Sequence, residues 1–397
     1  MKIKKGVLVS KRLPRARLGF SNVSMDIQVA PVLQSLTTSY PEHANSFSEL
    51  FAMYEQKLWH QLTERIQCLI ILAPEVSLPL LQGFVLGKWD HRMNRAALTS
   101  LSIAASRQLQ GEEAISLLSG IEGRLLKDLE KDDSSLVRIR MQLASLRLSS
   151  GDLQAVKESL DACKAVIETV SQEAKASFYR VASLLDRLES DYDLFYTHAM
   201  QYLGCVPGME SIPVGEKIEL SHDLAISALL GQTYNLGELL MHPILDALGA
   251  GKYGWLKGLV QAVNAGDHDS FEMCLGFIQE HPALSGSEPF LREKLVLLSL
   301  VNLASTKHLL TFIEIANATR SPSDIPQLVI KAQSKKLLRA RIDQPSNKVE
   351  IEWVQPRVLA QLDGLEQVLL AWQNRIEGAI QMLQQKQESI LPLITAF

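Results

Sequence analysis

A chain of 397 residues is longer than one compact core organises, and two or three domains are expected. Apolar side chains make up 47% and charged ones 21%, which excludes a disordered chain; no run approaches the ~20 apolar residues of a membrane-spanning helix. No membrane partner is expected. Aromatic residues are only 6%, while Leu, Ala, Ile and Gln abound, a balance that favours helix.

The net charge of −4 is unevenly spread. Residues 1–25 carry seven basic side chains (Lys2, Lys4, Lys5, Lys11, Arg12, Arg15, Arg17) and no acid, leaving 33 basic against 44 acidic, a net of −11. An acidic body disfavours broad polyanion binding. The basic stretch has the composition of a mitochondrial transit peptide. Pro14 and Gly19 interrupt any amphipathic helix there, which favours a disordered tail, or upstream sequence with Met25 as the working start. The four cysteines (Cys68, Cys163, Cys205, Cys274) show no CxxC pair and no His at ligand spacing. That pattern predicts neither a zinc site nor a disulfide framework and fits a reducing compartment.

From about Ser46 to Ala304 the chain reads as successive amphipathic helices. Val156, Leu160, Cys163, Ile167 and Val170 form one helical stripe, and Leu136, Ile139, Leu143 and Leu146 another. Breaks carry helix-end chemistry, as at Gly151-Asp152, Gly204, Pro207-Gly208 and Gly266-Asp267. Gly111, Gly151, Asp191 and Gly231 open similar segments at intervals of 40. Each interval accommodates a helical hairpin, the unit of a right-handed solenoid, and solenoids present extended surfaces to other macromolecules.

The pattern changes near Lys307. Thr311 to Ala316 reads as a short helix with a Thr–Glu capping box, and Ser321 to Ser323 as a turn into a second helix, Asp324 to Lys335. Strands are predicted at Leu338 to Asp343 and Val349 to Trp353, joined by the turn Gln344 to Asn347. Helix, turn, helix and a two-stranded wing make a winged helix-turn-helix. Arg320, Lys331, Lys335, Lys336, Arg339 and Arg341 are basic, which leaves a nucleic-acid adaptor as an alternative. The first turn of the recognition helix, however, offers Ser323, Asp324 and Pro326, and Asp324 would repel phosphate. Protein contact is the favoured reading, with Lys331, Lys335 and Arg339 as candidate interface residues and no nucleic-acid partner.

After Pro356, the residues Val358, Leu362, Leu365, Leu369, Trp372, Ile376, Ala379 and Leu383 are spaced 4-3-4-3-4-3-4, an a/d heptad seam. A helix this long at the end of a chain suggests companion helices from partners. Val358, Leu362, Leu365, Leu369, Trp372, Ile376 and Leu383 are therefore candidate partner-interface residues. The expected domains are a poorly ordered basic extension and linker (1–45), a helical-repeat solenoid (46–305), a winged helix (306–355) and a terminal bundle helix (356–397). The fold class is mostly α.

No catalytic residue, cofactor or metal is predicted. The GxGxxG at Gly249 to Gly254 follows a segment, Gly237 to Leu248, that reads as a helix containing Pro243, whereas a dinucleotide fingerprint needs a strand there. Gly83 to Lys88 lacks the length and the Ser/Thr of a phosphate loop. Ser221, His222 and Asp223 are consecutive, so their side chains diverge and form no triad. His222 and Asp223 read instead as the start of a helix through Leu230.

Helical repeats, a winged helix and a terminal helix resemble the layout of the PCI-domain family, found in the proteasome lid, the COP9 signalosome and translation initiation factor three. Lys57-Leu-Trp-His-Gln-Leu-Thr63, Phe195-Tyr196 with Tyr202-Leu-Gly-Cys205, Asn235-Leu-Gly-Glu-Leu-Leu-Met-His-Pro-Ile-Leu245 and Trp353-Val-Gln-Pro-Arg-Val-Leu359 resemble its proteasome-lid branch. The resemblance implies a non-catalytic scaffold in a hetero-oligomer, located in cytoplasm and nucleus. It also implies contacts with other lid PCI subunits, with the lid deubiquitinase module and with a ubiquitin receptor. The signalosome and the initiation factor remain the alternatives within the family.

Overall fold

A computed structural model describes residues 35–85, 93–128, 134–249, 251–320, 324–356 and 369–382. The basic stretch of residues 1–25 and the seam positions Val358, Leu362, Leu365 and Leu383 lie outside the described residues. The chain divides into two compact units, 1–110 and 111–397.

In the first unit, α1 (Ala44–Glu55), α2 (Trp59–Leu72) and α3 (Arg95–Ser106) carry the core. Leu62, Ile66 and Leu69 are buried along one face of α2 at helical spacing, opposite Phe47 and Leu50 of α1. Arg65 and Glu49 pair across the two helices at 2.6 Å. Asn94 caps α3, its side chain accepting from the Ala96 N–H at 3.0 Å.

The second unit begins with α4 (Glu112–Asp128), α5 (Ser134–Ser150), α6 (Leu153–Lys164), α7 (Gln172–Glu189), α8 (Tyr192–Cys205) and α9 (Val214–Leu230). Val137, Met141, Val156, Leu160, Cys163, Phe178 and Val181 form one core where α5, α6 and α7 meet. Ile167 and Val170 are buried with them, although α6 ends at Lys164 and the chain reaches them through turns.

The joints repeat a local device. A residue with left-handed backbone ends one helix and the next residue, an aspartate, caps the following one: Gly151-Asp152, Ser190-Asp191 and Gly266-Asp267. Asp152 accepts from the Ala155 N–H at 3.2 Å and Asp191 from the Leu194 N–H at 3.1 Å. Gly231 does not continue the series. It has φ −71° at the end of α9, and the next helix starts only at Gly237.

Two further expectations are corrected here. His222 and Asp223 lie in the middle of α9, whose start is at Val214 after Pro213. The segment from Gly237 is not one helix: α10 (Gly237–Met241) stops before Pro243, and 3-10 and α turns follow through Gly249. Proline pushes the preceding residue to extended backbone, and His242 has ψ 129°. Glycines of the GxGxxG end that turn and open α11 (Gly254–Ala265), so they join helix to helix. Then come α12 (His268–Met273), α13 (Leu275–Glu280) and α14 (Glu288–Thr306).

A winged helix follows: β1 (Leu309–Thr311), α15 (Phe312–Thr319), α16 (Ile325–Ser334), β2 (Leu338–Asp343) and β3 (Lys348–Val354). The three strands are antiparallel in the order β1-β3-β2. Strand β1 was not predicted; its three residues owe their extended state to pairing with Lys348 to Glu350. The predicted capping box is present, with Thr311 Oγ1 accepting from the Glu314 N–H and Glu314 Oε2 accepting from the Thr311 N–H at 2.9 Å.

One apolar core runs from Phe195 through α8, α9, α11 and α14 into Leu310, Ile315, Val329, Leu338, Val349 and Ile351. The winged helix therefore shares its interior with the helices before it. Residues 369–382 form a further helix, α17.

Candidate interaction surfaces

The predicted interface residues of the winged helix are already engaged within the unit. Lys331 Nζ lies 2.7 Å from Glu293 Oε2 of α14, which clips α16 to the helical region. Lys335 Nζ donates to Gln232 Oε1 at 3.1 Å. The Arg339 guanidinium stands 5.9 Å from the ring centroid of Trp353, within cation–π range. Arg320 grips both carboxylate oxygens of Asp269, at 2.6 and 2.8 Å. That guanidinium holds the Asp269 carboxyl below its ordinary pKa. Arg341 pairs with Glu352 at 2.6 Å. Five of the six basic side chains singled out in the sequence thus face protein groups.

Its exposed apolar groups are the ones the sequence did not single out. Leu309, Ile313 and Ile330 are exposed on β1, α15 and α16. Trp353 is 43% exposed because β3 carries a bulge opposite Arg339 and Ala340. Strict alternation from Val349 and Ile351 would bury it; the extra residue turns it to the outer face, beside Arg339. Val296, Leu328 and Ile330 add apolar surface to an open groove of about 620 Å³ between α14 and α16.

On α17 the described part of the seam is solvent-facing. Leu369, Trp372 and Ile376 are 58%, 62% and 57% exposed, and Ala379 is exposed too. Ile380, one turn beyond Ile376, widens the stripe. Gln373 and Glu377 hydrogen-bond each other at 2.9 Å on a neighbouring face. All described residues of α17 but Gly378 are exposed, Leu370 and Met382 among them, so the apolar stripe is bare together with the rest of the helix.

Ser221 donates its hydroxyl to the Ile218 carbonyl oxygen at 2.9 Å, and His222 meets Asp223 and His281 instead. Among the described residues, no group of three or more His, Cys, Asp and Glu side chains converges as a metal-ligand set, and no helix is long and apolar enough to cross a membrane.

Helical hairpins whose core continues into a winged helix define the PCI-domain class. The family model for PSD13 N-terminal repeats matches residues 46–260. The probable 26S proteasome regulatory subunit rpn9 of Schizosaccharomyces pombe is 30% identical over 371 residues, 90% of this chain and 96% of that protein. The 26S proteasome non-ATPase regulatory subunit 13 of Dictyostelium discoideum is 29% identical across 89% of this chain and 96% of its own length. For the regulatory subunit RPN9 of Saccharomyces cerevisiae the figures are 29%, 87% and 93%. The chain belongs to the family of 26S proteasome non-ATPase regulatory subunit 13.

Proposed function

We propose that this chain is a non-catalytic structural subunit of the 26S proteasome regulatory particle, part of its lid, and that it supports ubiquitin-dependent degradation by holding neighbours in place. The observation that carries the reading is the bare stripe of Leu369, Trp372, Ile376 and Ile380, following a winged helix with exposed Leu309, Ile313 and Ile330. Apolar side chains at this exposure are stabilised when partner helices cover them. Full-length relatives named as regulatory subunits support the same assignment.

The partners in this reading are the other PCI subunits of the lid, its deubiquitinase module and a ubiquitin receptor. The seam, including Val358, Leu362, Leu365 and Leu383, meets companion helices, and the winged helix meets its like in a neighbour. Cytoplasm and nucleus are the compartments, which imaging of the tagged chain would check. Affinity capture of the tagged chain from extract, followed by mass spectrometry, tests the assignment. Proteasome ATPases and core subunits are expected; recovery of signalosome or ribosomal subunits in their place would overturn it.

A further inference from the structure

His222, in the middle of α9, and His281, at the end of α13, meet across one cleft with their Nε2 atoms 3.2 Å apart, a hydrogen bond between two imidazoles. Such a bond holds one proton between two nitrogens that can each carry one, so the contact fixes its own proton count.

The other two ring nitrogens have opposite surroundings. His222 Nδ1 donates to Asp223 Oδ1 at 3.0 Å, and Arg187 holds the second oxygen of that carboxylate at 3.0 Å. With this proton in place, neutral His222 offers the lone pair of Nε2, and His281 donates to it. His281 Nδ1 is then the bare nitrogen; it is buried and meets no hydrogen-bond partner among the described residues. A further proton can enter the intact pair only at that nitrogen, where the N–H would be buried without an acceptor. One more would set two N–H groups head to head. The contact is therefore complete only while both imidazoles are neutral.

The charges around the pair are committed elsewhere or face water. Of the carboxylates lining the cleft, Asp186 meets His198 Nδ1 at 2.6 Å, and Asp191 accepts the Leu194 N–H at 3.1 Å. Glu280, beside His281 in the chain, is exposed. Uncharged rings pack on both imidazoles, Tyr253 on His222 with centroids 4.5 Å apart and Trp255 by His281 at 6.0 Å. The Lys252 ammonium stands 6.0 Å from the Tyr253 ring. Burial and the neighbouring His222 lower the His281 pKa below its ordinary 6.5.

The contact joins two parts of the fold. The turn of residues 281–287, between α13 and α14, hydrogen-bonds within itself: the Leu284 and Ser285 N–H groups both donate to the His281 carbonyl oxygen at 3.0 Å. Buried Leu284 anchors the turn in the core, and the imidazole pair ties it across the cleft to α9.

We propose that His222 and His281 form an acid-sensitive latch, which holds the α13–α14 turn on α9 while both rings are neutral and opens when they take up protons.

Amide hydrogen exchange of the full chain, read by mass spectrometry and corrected for the intrinsic rate, tests this. One proton linked to opening shifts the equilibrium by up to about tenfold per pH unit, so the comparison runs from about pH 7.5 to about pH 5. Protection of residues 281–287 should fall below pH 6.5 with a slope approaching that value, while α5 keeps its protection. His281→Phe retains a ring beside Trp255 and has no titrating nitrogen, so the turn should lose its pH response; circular dichroism checks that the variant is folded. Exchange at the ring carbon between the two nitrogens gives each histidine's midpoint in the unaltered chain, and that of His281 should lie below 6.5. Turn protection indifferent to acid, an equal loss in α5, a response retained by His281→Phe, or a His281 midpoint at or above 6.5 would each overturn the proposal.

Discussion

The ammonium of Lys294, 1% exposed in the middle of α14, lies 2.7 Å from the carbonyl oxygen of Gly231. It also donates to the carbonyls of Ala228 and Leu229, at 2.7 and 3.3 Å. These are the orphan acceptors at the C-terminus of α9, so a side chain from another helix serves as its cap. Tyr234 lies under the ammonium at 5.3 Å.

Burial draws the Lys294 pKa down from 10.5 to about 7, with Asp193 acting in the other direction. Between those values the unfolded chain holds a proton that the folded chain has released. Stability therefore rises with pH across that window, by at most about 1.4 kcal/mol per unit for one proton. Lys294→Met removes this dependence and takes away the donors that serve these carbonyls, which costs about 1–3 kcal/mol. Urea denaturation of both proteins at pH 7 and pH 9.5 measures the two effects. An equal pH response in the variant would assign the titration to other groups.

Gly266 makes the joint between α11 and α12 at φ 68°. A β-carbon there would stand 2.6 Å from Ser299 Cα and 2.9 Å from Ser299 N, against backbone that α14 holds rigid. Gly266→Ala therefore combines left-handed strain of about 1–2 kcal/mol with a clash. Loss of more than about 2 kcal/mol is expected, read as a fall in the denaturation midpoint. Gly151→Ala is the control: it has φ 86° but open space around it, so its loss should be smaller.

How far these features could be read in advance follows their range along the chain. The capping box of Thr311 and Glu314 is a four-residue pattern and was legible. So were β2 and β3, whose alternation is local. Strand β1 was not, since Leu309 to Thr311 are extended only against a strand 39 positions on. The same limit governed the basic residues. Lys335 meets Gln232 from 103 positions away and Arg320 meets Asp269 from 51, separations that no spacing rule reaches. Trp353 was hidden by a single bulge. The heptad spacing of Leu369, Trp372 and Ile376 is legible in the sequence, and the structure leaves all three exposed, but what covers them is not written in a single chain.

Glu314 ties the start of α15 to Lys307, at 2.6 Å, and to Thr311. These contacts, the Lys307 bond first, hold its pKa down from 4.5 to about 2. Its contribution is complete above the unfolded value near 4.5 and fades as pH falls toward 2. Glu314→Gln should accordingly lower Tm at pH 7 and make no difference near pH 2. Melting curves of both proteins across that range decide it; a gap that persists at low pH would show that the charge is not what matters.

The seam of α17 provides the sharpest separation of folding from assembly. Leu369 and Ile376 are more than half exposed, so an aspartate at either position meets water in the free chain and removes no core contact. Within a helix bundle the same aspartates would be buried without partners. If the seam covers even about 500 Å² of apolar surface, about 25 cal/mol per Å² gives on the order of 12 kcal/mol gross, before association and ordering costs. Leu369→Asp with Ile376→Asp should release the chain from its complex while Tm and circular dichroism of the isolated protein stay unchanged. Co-purification with the other subunits at wild-type yield would show that the stripe is not the contact that holds it there.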